Sequence, residues 1–115
     1  MAKTEQNARV KRGGSHNLRV GLTDENGDPL NLAGITLHYR VARVASSSAP
    51  ELVITDADIG RDGSTAIIPL TTERTQQIPA RRWYHELYMI DPEGERSVLM
   101  IGHLTVVSAQ AAKHD

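Results

Sequence analysis

The run Trp83-Tyr84-His85-Glu86-Leu87-Tyr88-Met89-Ile90, followed by Asp91-Pro92-Glu93-Gly94-Glu95 and then Ser97 to Val107, decides the fold. Trp83, His85, Leu87 and Met89 alternate with Tyr84, Glu86, Tyr88 and Ile90. That period of two puts successive side chains on opposite faces of a strand. Bulky groups on both faces make this the strongest strand in the chain. Asp-Pro-x-Gly is turn chemistry, and the apolar run behind it returns as the last strand. The pair reads as a β-hairpin that ends the domain.

The same reading extends backwards. Thr71 to Ile78 offers a Thr cap, polar helix formers and a terminating Pro79, so it is read as a short helical connection. At two turns it cannot stand alone and must dock through Ile78. Ser64 to Leu70 is a strand with Ala66, Ile68 and Leu70 on one face, and Pro69 places it at an edge or near its end. Gly60-Arg61-Asp62-Gly63 reads as a turn, Leu52 to Thr55 as a short strand, and Ala45 to Pro50 as a loop. Ile35, Leu37, Tyr39 and Val41 alternate with Thr36, His38, Arg40 and Ala42. His16, Leu18, Val20 and Leu22 alternate with Asn17, Arg19, Gly21 and Thr23. Between these two strands lies Asp24-Glu25-Asn26-Gly27-Asp28-Pro29, whose Asn-Gly pair tolerates the positive φ of a tight turn. Leu30 and Leu32 continue briefly before Gly34 breaks the chain again. Short strands with a turn signal about every ten residues predict an all-β sandwich.

The length of 115 residues fits one domain. Its core must be aliphatic, because the chain has no Phe, one Trp and three Tyr; Trp83 is read as the main core plug. With no Cys there is no disulfide scaffold, thiolate site or cysteine nucleophile. Thirteen basic against fourteen acidic residues give a formal charge of −1, so no global attraction to nucleic acid or anionic membrane is expected. No apolar stretch approaches the ~18 residues of a membrane span, and the N-terminus lacks a secretory signal pattern. Residues 1–14 are expected to be a flexible basic arm, 15–107 the sandwich, and 108–115 a short polar tail. Lys3, Arg9, Lys11 and Arg12 face only Glu5 within the arm, and they are candidate contacts to an acidic partner surface.

Sites for chemistry are sparse. His16, His38, His85 and His103 fall on four different strands and His114 in the tail, without the spacing of a metal-ligand set. They read as surface and rim histidines. Asp56, Asp58 and Asp62 resemble part of a calcium loop but lack the bidentate Glu, and Asx residues in turns ordinarily cap their own backbone. Glu86 stands between two Tyr and reads as a solvated or salt-bridged strand position; alternation sets it opposite His85. Tyr84 and Tyr88 are candidate exposed contacts on one strand face, with Trp83 on the other. No cofactor, metal or small-molecule substrate is expected.

Two stretches resemble small immunoglobulin-like domains of tailed-bacteriophage virion proteins. In DENGDPLNLAGITLHYRV, Asp24, Gly27, Pro29, Leu30, Leu32 and Gly34 match an Asp-x-x-Gly-x-Pro-Leu-x-Leu-x-Gly turn running into an alternating strand. In residues 67–107 the matches are Leu70 to Thr75, the aromatic-led strand from Trp83, the turn from Asp91 to Gly94, and Gly102-x-Leu104-x-Val106. The resemblance covers about Ser15 to Val107. It implies an immunoglobulin-like antiparallel sandwich of about seven strands, similar to the N-terminal module of baseplate upper proteins and to head, neck and tail accessory proteins. No catalytic residue carries over. It further implies a non-enzymatic role in a virion assembled in the bacterial cytoplasm, with other virion proteins as partners in many symmetric copies. Docking is expected through the arm and the sheet edges, and deletion of Met1 to Arg12 is expected to leave the domain folded. A carbohydrate-binding or adhesion module built on Trp83, Tyr84 and Tyr88 is the alternative from a different class.

Overall fold

The computed structural model describes residues 4–108; Lys3, His114 and all but the first residue of the 108–115 tail lie outside the described residues. Within them the chain forms β1 (Thr4–Glu5), β2 (Ala8–Lys11), β3 (His16–Gly21), β4 (Thr36–Ala42) and β5 (Leu52–Ile54). A 3₁₀ turn at Asp56–Asp58 follows, then β6 (Gly60–Asp62), β7 (Thr65–Leu70), helix α1 (Thr72–Gln76), β8 (Arg82–Ile90) and β9 (Arg96–Val107). In the larger sheet, antiparallel pairing runs from β5 through β4 and β8 to β9. On the far side of β9 lie β1 and β2, both parallel to it. The smaller sheet has the order β3-β7-β6. The molecule is therefore all-β and built from two sheets.

Alternation explains which side chains these strands bury. Leu18 and Val20 of β3, Ala66, Ile68 and Leu70 of β7, Leu37, Tyr39 and Val41 of β4, and Trp83 and Leu87 of β8 are all buried in one cluster drawn from both sheets. Trp83 is the largest of them, as the composition leads one to expect, and its indole N–H donates to Pro79 O at 2.9 Å. Between Leu87 and Tyr88 the β8–β9 register shifts, with Leu87 opposite Met100 and Tyr88 opposite Val98. The extra residue, Leu99, lets β9 bury Leu99 and Met100 in succession, which strict alternation forbids.

The punctuation behaves as its chemistry requires. In the first acidic turn Asp24 Oδ1 accepts from the N–H of Asn26 and Asp28, at 2.9 and 3.0 Å. In the second, Asp91 Oδ1 accepts from the N–H of Glu93 and Glu95, at 3.0 and 2.8 Å. Thr71 caps α1 by accepting from Arg74 N–H, and Ile78 is fully buried behind the helix. Beyond Ile67, β7 is bordered on one side only, where a residue without an N–H is tolerated; Pro69 sits there.

Two expectations need correction. Gly60–Asp62 is a strand rather than a turn, and the turn contracts to Gly63-Ser64, with Gly63 at φ 60°. The arm expected at 1–14 is not free where it is described. Thr4 and Glu5 pair with Met100 and Ile101, and Ala8 to Lys11 pair with Leu104 to Val107. The physical reason is the otherwise open edge of β9 together with Val10, which is buried in the common core. Counting polar residues hid both.

Candidate functional site

The groups with chemical potential gather around β8, and its two faces handle them differently. On the inner face His85 is wholly buried, which corrects its placement among surface and rim histidines. Its Nε2 lies 2.7 Å from Gln6 O and its Nδ1 2.9 Å from the Tyr39 hydroxyl. A carbonyl can only accept, so Nε2 carries the proton, and Nδ1 accepts from the Tyr39 O–H. Burial pushes the imidazole below its ordinary pKa, with the neighbouring His103 adding to this and the Gln6 carbonyl opposing it. Burial likewise drives the Tyr39 hydroxyl well above the usual tyrosine range. Opposite His85 on β9 is Gly102, where a Cβ would fall 2.0 Å from Gln6 O. The missing side chain is what lets the N-terminal chain drop between β1 and β2 to meet the imidazole. Asn7 completes the crossing, its Oδ1 accepting from His103 N–H at 2.9 Å.

On the outer face Glu86 is also buried, but charged and paired. It binds the Arg40 guanidinium, accepts from the Tyr84 hydroxyl at 3.0 Å, and faces Arg96 at 3.6 Å. Arg40 in turn donates to Ser47 O and Ala45 O, at 2.7 and 2.6 Å. The glutamate thus anchors the loop between β4 and β5. Burial, then the hydrogen bond and charge of Glu86, push Tyr84 up to about 12. Tyr88 is stacked with His38 at 5.0 Å, and the Arg96 guanidinium lies 3.9 Å from its ring centre. Tyr84 and Tyr88 are each only partly exposed. The face they share with Glu86 follows the expected alternation, with Trp83 buried on the other side.

Other sequence candidates separate in space. Arg9, Lys11 and Arg12 are exposed, but Arg12 is committed to Gln76 O, through Nε at 3.2 Å and Nη2 at 3.0 Å. His16 and His103 are exposed, and His38 is partly so. The acids of the supposed calcium loop point to different partners. Asp56 accepts from Leu37 N–H and Arg61, Asp58 pairs with Arg74, and Asp62 lies 3.7 Å from Arg19. Burial raises the Asp56 carboxyl, but the Leu37 N–H and the Arg61 guanidinium outweigh it and hold the group below the usual range. Among the described residues no group of three potential ligands comes together for a metal.

One feature escaped the sequence reading. Arg43, Arg81, Arg82 and His103 line a groove of about 570 Å³ with Val44, Trp83 and Tyr84. Arg82 donates to His103 Nδ1 at 3.1 Å, and the Arg81 guanidinium lies 4.8 Å from the Trp83 ring centre. The Arg81-Arg82 doublet was visible, but its approach to Arg43 depends on the β4–β8 pairing. Among the described residues no helix is long and apolar enough to cross a membrane. A scan against protein-family models matches none, and a search of curated proteins finds no matching sequence.

Proposed function

We propose that this chain is a non-enzymatic structural module of a tailed-bacteriophage virion: an immunoglobulin-like sandwich that docks onto other virion proteins in many symmetric copies. It would be assembled with the particle in the bacterial cytoplasm. The sequence resemblance in residues 24–34 and 67–107 carries the virion part of the reading, and topology supports its immunoglobulin-like part. The orders β3-β7-β6 and β4-β8-β9 correspond to the B-E-D and C-F-G pairings of immunoglobulin-type sandwiches, with the first strand moved onto the last. The residues with catalytic potential support the non-enzymatic part, because His85 and Glu86 each spend their polar atoms on ties that hold the fold together. The carbohydrate-binding alternative has less support. A sugar platform needs an open aromatic face, whereas Trp83 is buried and both His38 and Arg96 lie against Tyr88.

Docking through the N-terminal segment now means docking through the exposed side chains of a strand. Removing Met1 to Arg12 would also unpair β9, so charge reversal is the cleaner test. Particles purified from a culture expressing the chain should contain it at a fixed ratio to the major shell protein, by mass spectrometry. Arg9→Glu with Lys11→Glu should lower that ratio while the chain stays folded. Absence of the parent chain from the particles would overturn the reading.

A further inference from the structure

The larger sheet carries opposite charges at its two ends. At one end is the groove of Arg43, Arg81, Arg82 and His103, with no carboxylate in its lining. All three arginines are exposed, and among the described residues none of them forms an ion pair. Strand β8 starts in this groove at Arg82 and runs its nine residues to Ile90, about 26 Å away at the usual rise. There the chain enters the Asp91–Glu95 turn, where Glu93 and Glu95 are exposed and also lack an ion pair among the described residues. The Ala33-Gly34 turn lies alongside: a Cβ on Gly34 would stand 3.3 Å from Pro92 Cγ. Arg96, the nearest cation along the chain, is turned onto Tyr88 and Glu86.

We propose that copies of this chain associate head to tail, the Asp91–Glu95 turn of one copy seating in the Arg43–Arg81–Arg82 groove of the next. Guanidinium forks match carboxylates in geometry as well as sign. Val44, which is 56% exposed at the groove, offers an apolar contact for Pro92. Groove against groove, or turn against turn, would bring like charges together, so the two-fold arrangement is disfavoured and the contact joins unlike surfaces. Contacts of that kind close into rings or extend into filaments. Exposed charge pairs govern encounter and register more than affinity, so the association is weak and sensitive to salt. It stands on this charge geometry whether or not the chain belongs to a virion: presence in particles and self-association are separate measurements.

Sedimentation velocity on the full chain tests it. In low salt the average mass should rise with concentration, and it should return to the monomer near 0.5 M salt, where screening is nearly complete within a few ångström. Two charge-reversed chains give the decisive comparison, Arg43→Glu with Arg82→Glu, and Glu93→Lys with Glu95→Lys. Each should associate at least about tenfold more weakly than the parent. Mixed in equal amounts they should associate again, because one is now acidic and the other basic at both ends. A parent that stays monomeric to roughly 1 mM in low salt, or a mixture no more associated than its components, overturns the proposal. Binding of a polyglutamate peptide by a strictly monomeric parent would also overturn it, assigning the groove to an acidic partner instead.

Discussion

His85 and Glu86 are neighbours in sequence, equally hidden from water, and stabilised in opposite ways. On the inner face of β8 a neutral imidazole is tolerated because its two nitrogens are consumed by Tyr39 and by the Gln6 carbonyl. On the outer face a full negative charge survives because Arg40, Arg96 and the Tyr84 hydroxyl surround it. An isolated ion in the core would cost far more than its contacts return. The inner tie joins the N-terminal strand to the sheet, and the outer one holds the β4–β5 loop. Both polar residues therefore act as fasteners between segments distant in sequence.

The difference can be broken most heavily from inside. Trp83→Ala should cost about 3–5 kcal/mol, since truncating a buried large aromatic leaves a cavity that the aliphatic neighbours cannot fill. A denaturant midpoint unchanged from the parent would remove Trp83 from its place as the central plug. Next in size is Gly102→Ala, at about 1–3 kcal/mol. The new methyl collides with Gln6 O, a backbone atom, so the N-terminal strand must lift. Hydrogen exchange should quicken at Gln6 and Val10 more than in β4; uniform protection would contradict the close crossing. Glu86→Gln keeps the outer shape but removes the charge, and about 1–2 kcal/mol is expected. Proteolysis within Ala45 to Pro50 should quicken with it, because Arg40 loses the partner that orients its bonds to Ala45 and Ser47. If the cleavage rate stays at the parent's level, Glu86 does not anchor that loop.

The outer face was the more legible of the two. Alternation from Trp83 to Ile90 set Tyr84, Glu86 and Tyr88 on one side, and a salt bridge was one of the two readings, solvated or salt-bridged, that it left for Glu86. Asp24 and Asp91 were equally transparent, because an Asx turn is a local structure and needs no knowledge of the rest of the chain. The inner tie was illegible because it depends on three segments. Gln6 lies 79 residues from His85, and nothing local marks Gly102 as a crossing point rather than a weak spot in a strand. The N-terminal strand was missed for a related reason: Thr4 to Lys11 is stabilised by the free edge of β9, and of its own side chains only Val10 is fully buried. The basic groove combines both difficulties, since Arg43 and Arg81-Arg82 meet only through strand pairing.

The smallest expected effect is read by pH. His85 titrates below its ordinary value in the fold, so on acidification the unfolded chain takes up its proton first. Its contribution is complete above about pH 6.5 and declines as the pH falls below that. Asp56 is held below the usual carboxylate range, and its contribution fades in turn below about pH 4. Tyr84 has the opposite sign. Its hydroxyl is raised to about 12, whereas the unfolded chain releases that proton near pH 10. Its contribution is therefore whole below about pH 10 and lost as the pH climbs towards 12. Urea midpoints measured across pH 5 to 11 should fall at both ends. His85→Gln should flatten the decline between pH 7 and 5 and leave the alkaline side as in the parent. Tyr84→Phe should make the alkaline decline shallower without abolishing it, because the ring stays while one titrating hydroxyl is gone and the buried Tyr39 hydroxyl acts on the same side. An acid decline unchanged by His85→Gln would mean that the imidazole is not what ties the N-terminal strand to neutral pH. An alkaline decline unchanged by Tyr84→Phe would detach the outer network from that side of the profile.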